Sequence, residues 1–338
     1  MGSAAVLGTG LIGASLGMAL RQVGWVVAGW DPDPSALEVA TQRGAVDHPR
    51  QALDWAVSGT ELVVLAGPLS ATLETLRGLR TAALVTDVAG VKVPVVESKP
   101  PDLRLVAGHP MAGREQAGPA AATPALFRGA AWIVCPDGAD PEDVAIVESM
   151  VEAVGAIPYA MPASEHDRVV AAISHLPQVI AVSLVNLAAG DPGAMQLVAG
   201  SFRDLTRVAA SEPGWWPELL AANEANVSRA ITGMIEELEE ARAEIRADPA
   251  SLAARIRSAR ARRRGMAPPE IRVGVVLQDR PGEIAAVGRA LEQCAVDIRD
   301  LQLRHALHGG GGVLTLSVRP VEADALRESL EKEGFTLE

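Results

Sequence analysis

The sequence predicts three units in succession: a doubly wound α/β sheet, an all-α segment and a βαββαβ unit. Three observations carry that expectation. The chain opens on a short apolar strand, a glycine-rich turn and an apolar-periodic helix, and strands then alternate with helices to about residue 160. Strand signals vanish from 164 to 247, where apolar residues recur at helical spacing. From residue 270 short alternating strands return. The expected boundaries are 1–161, 162–266 and 267–338.

The opening stretch sets the class of the first unit. Ala4-Ala5-Val6-Leu7 reads as a buried strand, Gly8-Thr9-Gly10-Leu11-Ile12-Gly13 as a G-x-G-x-x-G turn, and the run from Ala14 to Leu20 as a helix. Gly8 permits the tight turn, Gly10 lets a pyrophosphate approach the backbone, and Gly13 lets the helix pack closely on the strand. The anion then meets the unpaired N–H groups and the positive dipole end of the helix. A second strand over 25–30 ends at Asp31, eighteen residues after Gly13. A carboxylate there accepts both ribose hydroxyls and repels a 2′-phosphate, so the expected cofactor is NAD rather than NADP. The plainer alternative is a glycine turn followed by an incidental loop Asp.

Further strands are expected at 61–66, 82–87, 103–108, 130–135 and 156–160, with helices at 35–43, 69–79 and 141–154, which completes a Rossmann-type unit. Such sheets bind ligands at the carboxyl ends of their strands. The loops after Ala66 (Gly67-Pro68), Asp87 and Gly108 are therefore candidate site segments.

With 338 residues and 49% hydrophobic content, the chain can bury substantial cores. A net charge of −12 argues against a general nucleic-acid or membrane-surface role. Cys135 and Cys294 lie far apart without a partner motif, so neither a disulfide framework nor a metal site is indicated. The first residues enter a strand without a signal-peptide pattern, and no apolar run reaches the ~18 residues of a spanning helix. A soluble, cytoplasmic protein is expected.

Residues 169–189, 194–210 and 217–245 read as helices with more apolar face than such a segment buries alone, which predicts a homodimer. The acidic run Glu236-Glu237-Leu238-Glu239-Glu240 reads as a solvated face. Residues 255–264 carry six arginines before the linker 265–269. This is a basic helix end; a nucleic-acid patch is disfavoured by the lack of interleaved aromatics.

The last unit reads as strand 271–277, helix 283–294, strands 296–304 and 313–318 joined by a hairpin turn at 309–312, helix 321–333 and strand 335–337. This order, with Asp279-Arg280-Pro281-Gly282 after the first strand, resembles ACT regulatory domains. That resemblance implies an amino-acid effector bound at a paired interface.

Three stretches carry candidate chemistry. His109, in Gly108-His109-Pro110-Met111-Ala112-Gly113-Arg114-Glu115, follows a strand at the cofactor edge. A neutral imidazole there suits removal of a hydroxyl proton during hydride loss, and a turn-capping histidine is the alternative. In Ser174-His175-Leu176-Pro177-Gln178, Pro177 is expected to kink the helix and turn polar groups to a cleft; a buried, satisfied His175 is the alternative. In the stretch from Gly200 to Arg207, Asp204 stands three residues before Arg207, as a carboxylate clamp or as an ordinary helical ion pair.

GTGLIG…D, TDVAGVK, GHPMAGRE, SHLPQ, FRDLTR and PGWW occur across residues 4 to about 245 in the order of the prephenate and arogenate dehydrogenase family, which the chain closely resembles. The resemblance implies oxidative decarboxylation with NAD, and a monofunctional enzyme, since no chorismate-mutase-like segment precedes the glycine loop. By the family motifs His109 receives the 4-hydroxyl proton, and Arg207 pairs a substrate carboxylate with Asp204 behind it. Glu115 and Trp216 shape the pocket, although Trp216 also reads as a core residue. Tyrosine, the pathway product, is the implied effector.

Two positions depart from the family pattern. Gly90 stands where the family usually has a serine, and Gln178 where it usually has a second histidine. Both leave prephenate against arogenate open, because a Gln amide can donate to a ketone or accept from an ammonium. A 4-amino ring analogue is a third option. Rival readings from other classes are a β-hydroxyacid dehydrogenase or imine reductase, and a non-catalytic sensor of NAD and amino acids. The first does not account for GHPMAGRE, and the second has little need of both His109 and Arg207.

Overall fold

The computed structural model describes residues 2–114, 116–247, 249–265, 271–294, 296–305 and 311–338. The chain divides into two compact units, Met1–Glu236 and Glu237–Glu338.

The first unit opens with β1 (Ser3–Leu7), α1 (Leu11–Gln22), β2 (Val26–Trp30), α2 (Pro34–Gln42), the two-residue β3 (His48–Pro49), α3 (Leu53–Val57), β4 (Leu62–Leu65), α4 (Leu69–Gly78) and β5 (Leu84–Asp87). It continues through α5 (Val93–Glu97), β6 (Leu105–Pro110), β7 (Ala131–Cys135), α6 (Pro141–Ala153) and β8 (Ile157–Ala160). The sheet order is β3-β2-β1-β4-β5-β6-β7-β8, parallel except for the antiparallel pairing of β6 with β7. Sequence order reverses between β1 and β4, which is where a doubly wound sheet opens its ligand crevice. Successive strand residues point to opposite faces. Ala5, Leu7, Val63 and Leu65 accordingly pack in one core, and Ala4, Val6, Leu62 and Val64 in the other.

The helical part runs α7 (Ala163–Val170), a π-helical turn (Ala171–His175), α8 (Leu176–Ala189), α9 (Pro192–Gln196), α10 (Gly200–Thr206), a 3-10 turn (Arg207–Ala210), α11 (Trp216–Ala222) and α12 (Glu224–Ala247). Three sequence expectations change here. The helix expected at 169–189 starts at Ala163, and a wide π turn precedes Pro177. Pro177 has no N–H to return to the preceding turn, and the wider turn absorbs that loss. The helices expected at 194–210 and 217–245 are each broken, at 197–199 with a 3-10 end and at Asn223. Lastly, the stretch Ala163–Ala189 is long and apolar enough to cross a membrane by length and composition, with 33% of its most apolar window buried. The expectation that no apolar run reaches the length of a spanning helix is corrected by this stretch, which is helical from Ala163 through Pro177 to Ala189.

In the second unit α13 (Pro249–Gly265) follows α12. Arg255 reaches back to Glu237, to Glu240 at 2.6 Å and to Glu244 at 3.0 Å. The acidic run is therefore partly an ion-pair partner rather than only a solvated face, and residues 255–264 are helical throughout. Then come β9 (Ile271–Leu277), α14 (Glu283–Cys294), β10 (Asp300–His305), β11 (Gly312–Val318), α15 (Ala323–Lys332) and β12 (Thr336–Leu337). The four strands form an antiparallel sheet in the order β10-β11-β9-β12. β10 starts at Asp300, later than the expected 296, and part of the expected hairpin turn, 309–310, lies outside the described residues. Val273, Val275, Leu314 and Leu316 of this sheet pack with Val287 of α14 and Leu326 and Leu330 of α15.

Candidate active site

Two of the three glycines in the loop are required on steric grounds. Gly8 has φ +98°, a conformation that costs other residues a steric clash. A Cβ on Gly13 would fall 1.9 Å from the Gly8 carbonyl oxygen, so only glycine lets α1 start this close to β1. Around Gly10, by contrast, a Cβ would meet nothing within 4 Å. α1 begins there with no side-chain cap and no acid in its first turn, leaving its N–H groups to a ligand anion. Asp31 accepts from Thr9 N–H at 2.5 Å, Thr9 Oγ1 at 3.0 Å and Asp33 N–H at 2.9 Å. A carboxylate has about four acceptor sites, so about one remains for a ribose hydroxyl. An uncapped helix start, open space over Gly10 and this carboxylate fit NAD.

Gly10, Leu11 and Ile12 line one side of a cavity of about 360 Å³ at the carboxyl ends of the strands. Ala66-Gly67-Pro68 after β4, Val88-Ala89-Gly90 after β5, and His109 with Pro110 at the end of β6 continue the wall. Ser174, His175, Ser211, Glu212, Trp215 and Leu219 close it from the helical side, and Arg114 lines it as well.

His109 Nδ1 lies 2.8 Å from His166 Nε2, and His166 Nδ1 lies 2.7 Å from Asp167 Oδ1. Asp167 is held by the backbone N–H groups of Lys92 at 2.7 Å and Val93 at 2.9 Å. Burial drives the His109 pKa well below its ordinary value, and the nearby His166, Lys92 and His175 push the same way. Burial also lowers His166, against the raising effect of Asp167. His175 is buried, faces the edge of Trp216 with ring centroids 6.3 Å apart, and is pushed down to about 4, chiefly by burial. Both cavity histidines are thus neutral near pH 7. Burial raises the Cys135 thiol to about 12, so it is unreactive.

Lys92 is fully buried; its Nζ donates to Asp87 and, at 2.6 Å, to the Gly108 carbonyl. Asp87 also accepts from Gly108 N–H at 3.1 Å and Ala89 N–H at 2.9 Å. Expected as a cofactor contact, Asp87 is instead a fully buried tie between the ends of β5 and β6, where the Lys92 charge compensates its own.

The structure brings His109, His175 and Gly90 to one cavity with the glycine loop and Gly67-Pro68. Asp204 and Arg207 are exposed on α10 and the 3-10 turn and do not line it. Gln178 is buried outside the cavity lining, and among the described residues its Oε1 has no hydrogen-bond partner. Trp216 is half-buried against His175 and stacks on Trp215, which does line the cavity. Glu115 lies outside the described residues. The sequence reading missed His166, Asp167, Lys92 and Asn223. An adjacent His-Asp pair near the start of an apolar helix was the available signal.

The turn Asp279-Arg280-Pro281-Gly282 precedes α14 in the second unit. Asp279, Arg280, Gly282 and Glu283 line a separate cavity of about 320 Å³ with Leu303 and Gly311.

Two family models match: the prephenate dehydrogenase nucleotide-binding domain over residues 16–159 and the prephenate dehydrogenase dimerization domain over 162–256. The chain is 32% identical to a probable prephenate dehydrogenase of Streptomyces niveus, covering 98% of each. It is similar in structure to the prephenate dehydrogenase of A. aeolicus solved with hydroxyphenyl propionate and NAD+, at TM-score 0.73 and 27% identity over 79% of this chain and 99% of that one. It is likewise similar to the arogenate dehydrogenase of Synechocystis, at TM-score 0.67 and 27% identity over 78% and 100%. On these matches and this geometry, the chain belongs to the prephenate dehydrogenase family.

Proposed function

We propose that the protein is an NAD-dependent prephenate dehydrogenase, converting prephenate to 4-hydroxyphenylpyruvate and carbon dioxide in tyrosine biosynthesis. The observation that carries this is the position of His109, a neutral imidazole on the cavity that also exposes the uncapped start of α1. NAD, when bound, supplies the hydride acceptor. His109 takes the proton of the ring hydroxyl as hydride leaves the carbon bearing it, the ring carboxylate departs as carbon dioxide, and the proton can return to the resulting phenolate. Aromatisation drives the reaction, so the chain's work is placement and proton handling. Arg207 pairs a substrate carboxylate with Asp204 behind it, and His175, Gln178, Gly90, Glu115 and Trp216 shape the substrate end.

Domain boundaries at 161/162 and 266/267 separate the cofactor domain, the helical domain and a C-terminal ACT domain. Exposed Leu187, Leu197 and Leu205 on the helical part support a homodimer. The cavity at Asp279–Gly282 takes an amino acid, tyrosine, whose carboxylate meets the start of α14. The enzyme works in the cytoplasm.

Purified protein with NAD, offered prephenate and arogenate in turn while reduced cofactor is followed, tests the main reading. Turnover on prephenate is expected; turnover on arogenate alone reassigns the substrate, and none on either refutes the reading. Gly282, at φ +93°, tests the regulation. Gly282→Val is expected to abolish tyrosine inhibition with turnover kept, and inhibition that persists places the effect at the active site.

A further inference from the structure

Two hydrogen-bond chains end on the two cavity histidines, and each begins at a group with a fixed role. The first begins at Asp167. Its carboxylate accepts the backbone N–H groups of Lys92 and Val93, so it is an acceptor. His166 Nδ1, 2.7 Å from Asp167 Oδ1, therefore carries the hydrogen of that contact. A neutral imidazole has a single N–H, which leaves His166 Nε2 as an acceptor. His109 Nδ1, 2.8 Å from it, must then donate, and His109 Nε2 keeps its lone pair. His166 is fully buried, and burial keeps it neutral.

The second chain begins at Arg229, which can only donate. Arg229 Nη1 donates to Asn226 Oδ1 at 3.0 Å, which orients that amide. Asn226 Nδ2 in turn donates to Asn223 Oδ1 at 2.8 Å. Asn223 Nδ2 donates to the Asp167 carbonyl at 2.7 Å and faces His175 Nδ1 at 3.3 Å. His175 Nδ1 is thus an acceptor, and its hydrogen sits on Nε2.

We propose that these chains hold the cavity histidines in opposite tautomers: His109 with a bare Nε2 that accepts, and His175 with an Nε2–H that donates. His166, Asp167 and Asn223 act as positioning residues through the two rings. No side chain at Gly90 competes for His109, because Leu219 Cδ1 would lie 2.9 Å from a Cβ there. The role of His109 rests on its assignment as the base; the tautomers do not. Together they make the cavity suit a substrate with a hydroxyl to deprotonate and a separate oxygen acceptor, a carboxylate or a ketone.

Protein labelled with nitrogen-15 in its histidine rings tests this directly. Two-bond proton–nitrogen spectra near neutral pH read each tautomer, with His109→Asn and His175→Gln assigning the signals. Hydrogen on Nδ1 of His109 and on Nε2 of His175 is expected; the same tautomer in both rings, or the reverse pair, overturns the proposal. No substrate is involved, so this outcome is independent of the assigned reaction. As a second measurement, folded His166→Leu is expected to show a mixed His109 tautomer. Its kcat should fall at least about tenfold, since a mis-set tautomer disables a base, with the KM for NAD within about twofold. An unchanged His109 signal and an unchanged kcat in that variant also overturn it.

Discussion

Gly90 and Leu219 share one space: a Cβ on Gly90 would fall 2.9 Å from Leu219 Cδ1 and 3.3 Å from Cδ2. Leu219 packs in the core and also lines the cavity, so it must shift to admit a side chain at Gly90. Where the family resemblance leads one to expect a serine, this chain has an apolar contact instead. Gly90→Ser is therefore not a simple restoration. It is expected to destabilise the protein by about 1–3 kcal/mol through overpacking. Leu219→Ala alone costs about 2–5 kcal/mol by leaving a void. The double variant should lose less than the sum, read as a favourable coupling in denaturant titrations. Strict additivity would show that the two side chains do not compete.

The pH dependence follows from the direction of the His109 shift. With His109 as the proposed base its neutral form is the active one, and the folded protein holds its pKa well below the ordinary value through burial, with His166, Lys92 and His175 pushing the same way. Protonation, and loss of activity, therefore comes only as pH falls through that depressed value. kcat/KM is expected to be flat across neutral pH, with its acid limb centred below the roughly 6.5 of an unperturbed histidine. His109→Asn should lower kcat by about 10² to 10⁴ and remove that limb. A limb centred above 6.5, or one that survives in His109→Asn, would assign the base elsewhere.

Asp31 ties down Thr9 of the glycine loop, and under the proposed function it also receives the cofactor ribose. Asp31→Ser removes the repulsion of a 2′-phosphate and loosens the loop together. The KM for NAD should rise about tenfold, or roughly 1.4 kcal/mol, while the ratio of NAD to NADP efficiency falls. Steady-state rates with both cofactors check this; comparable efficiency with NADP in the unaltered enzyme would refute the role of Asp31.

The first unit was legible because its signals are local. The strand from Ala4, the three glycines and Asp31 follow one another within a single βαβ unit, and the register β1–β2 and β1–β4 merely assembles them. His109 stood out as a candidate for the same reason, lying at the end of a strand inside a short Gly- and Pro-rich motif. His166 was not, because it acts across 57 residues on His109. Helical periodicity also misleads here. At about 100° per residue, the nine-residue step from His166 to His175 places them on opposite faces of a regular α-helix. The π turn at Ala171–His175 winds more slowly, and Asn223 spans Asp167 and His175 from a separate helix boundary. Asp87 misled in the other direction: a carboxylate at a strand end suggests a ligand contact, but a buried lysine five residues later had already claimed it.

Arg207 gives the sharpest test of the substrate end. It is exposed, on the 3-10 turn that leads to Ser211 and Glu212 at the cavity wall, and Arg114 is the arginine that lines the cavity itself. The clamp assigned to Arg207 under the proposed function is therefore tested against Arg114. The two arginines make separable predictions. If Arg207 is the clamp, Arg207→Gln should raise the KM for prephenate by an amount worth about 2–5 kcal/mol, the cost of leaving a desolvated substrate carboxylate without its charge partner, with kcat changed far less. Arg114→Gln, at a site already open to the cavity, should raise KM only modestly, because a solvent-screened pair is worth about 1 kcal/mol or less. Steady-state kinetics on both variants read the difference. If Arg114→Gln carries the large KM effect and Arg207→Gln almost none, the clamp is Arg114 rather than Arg207.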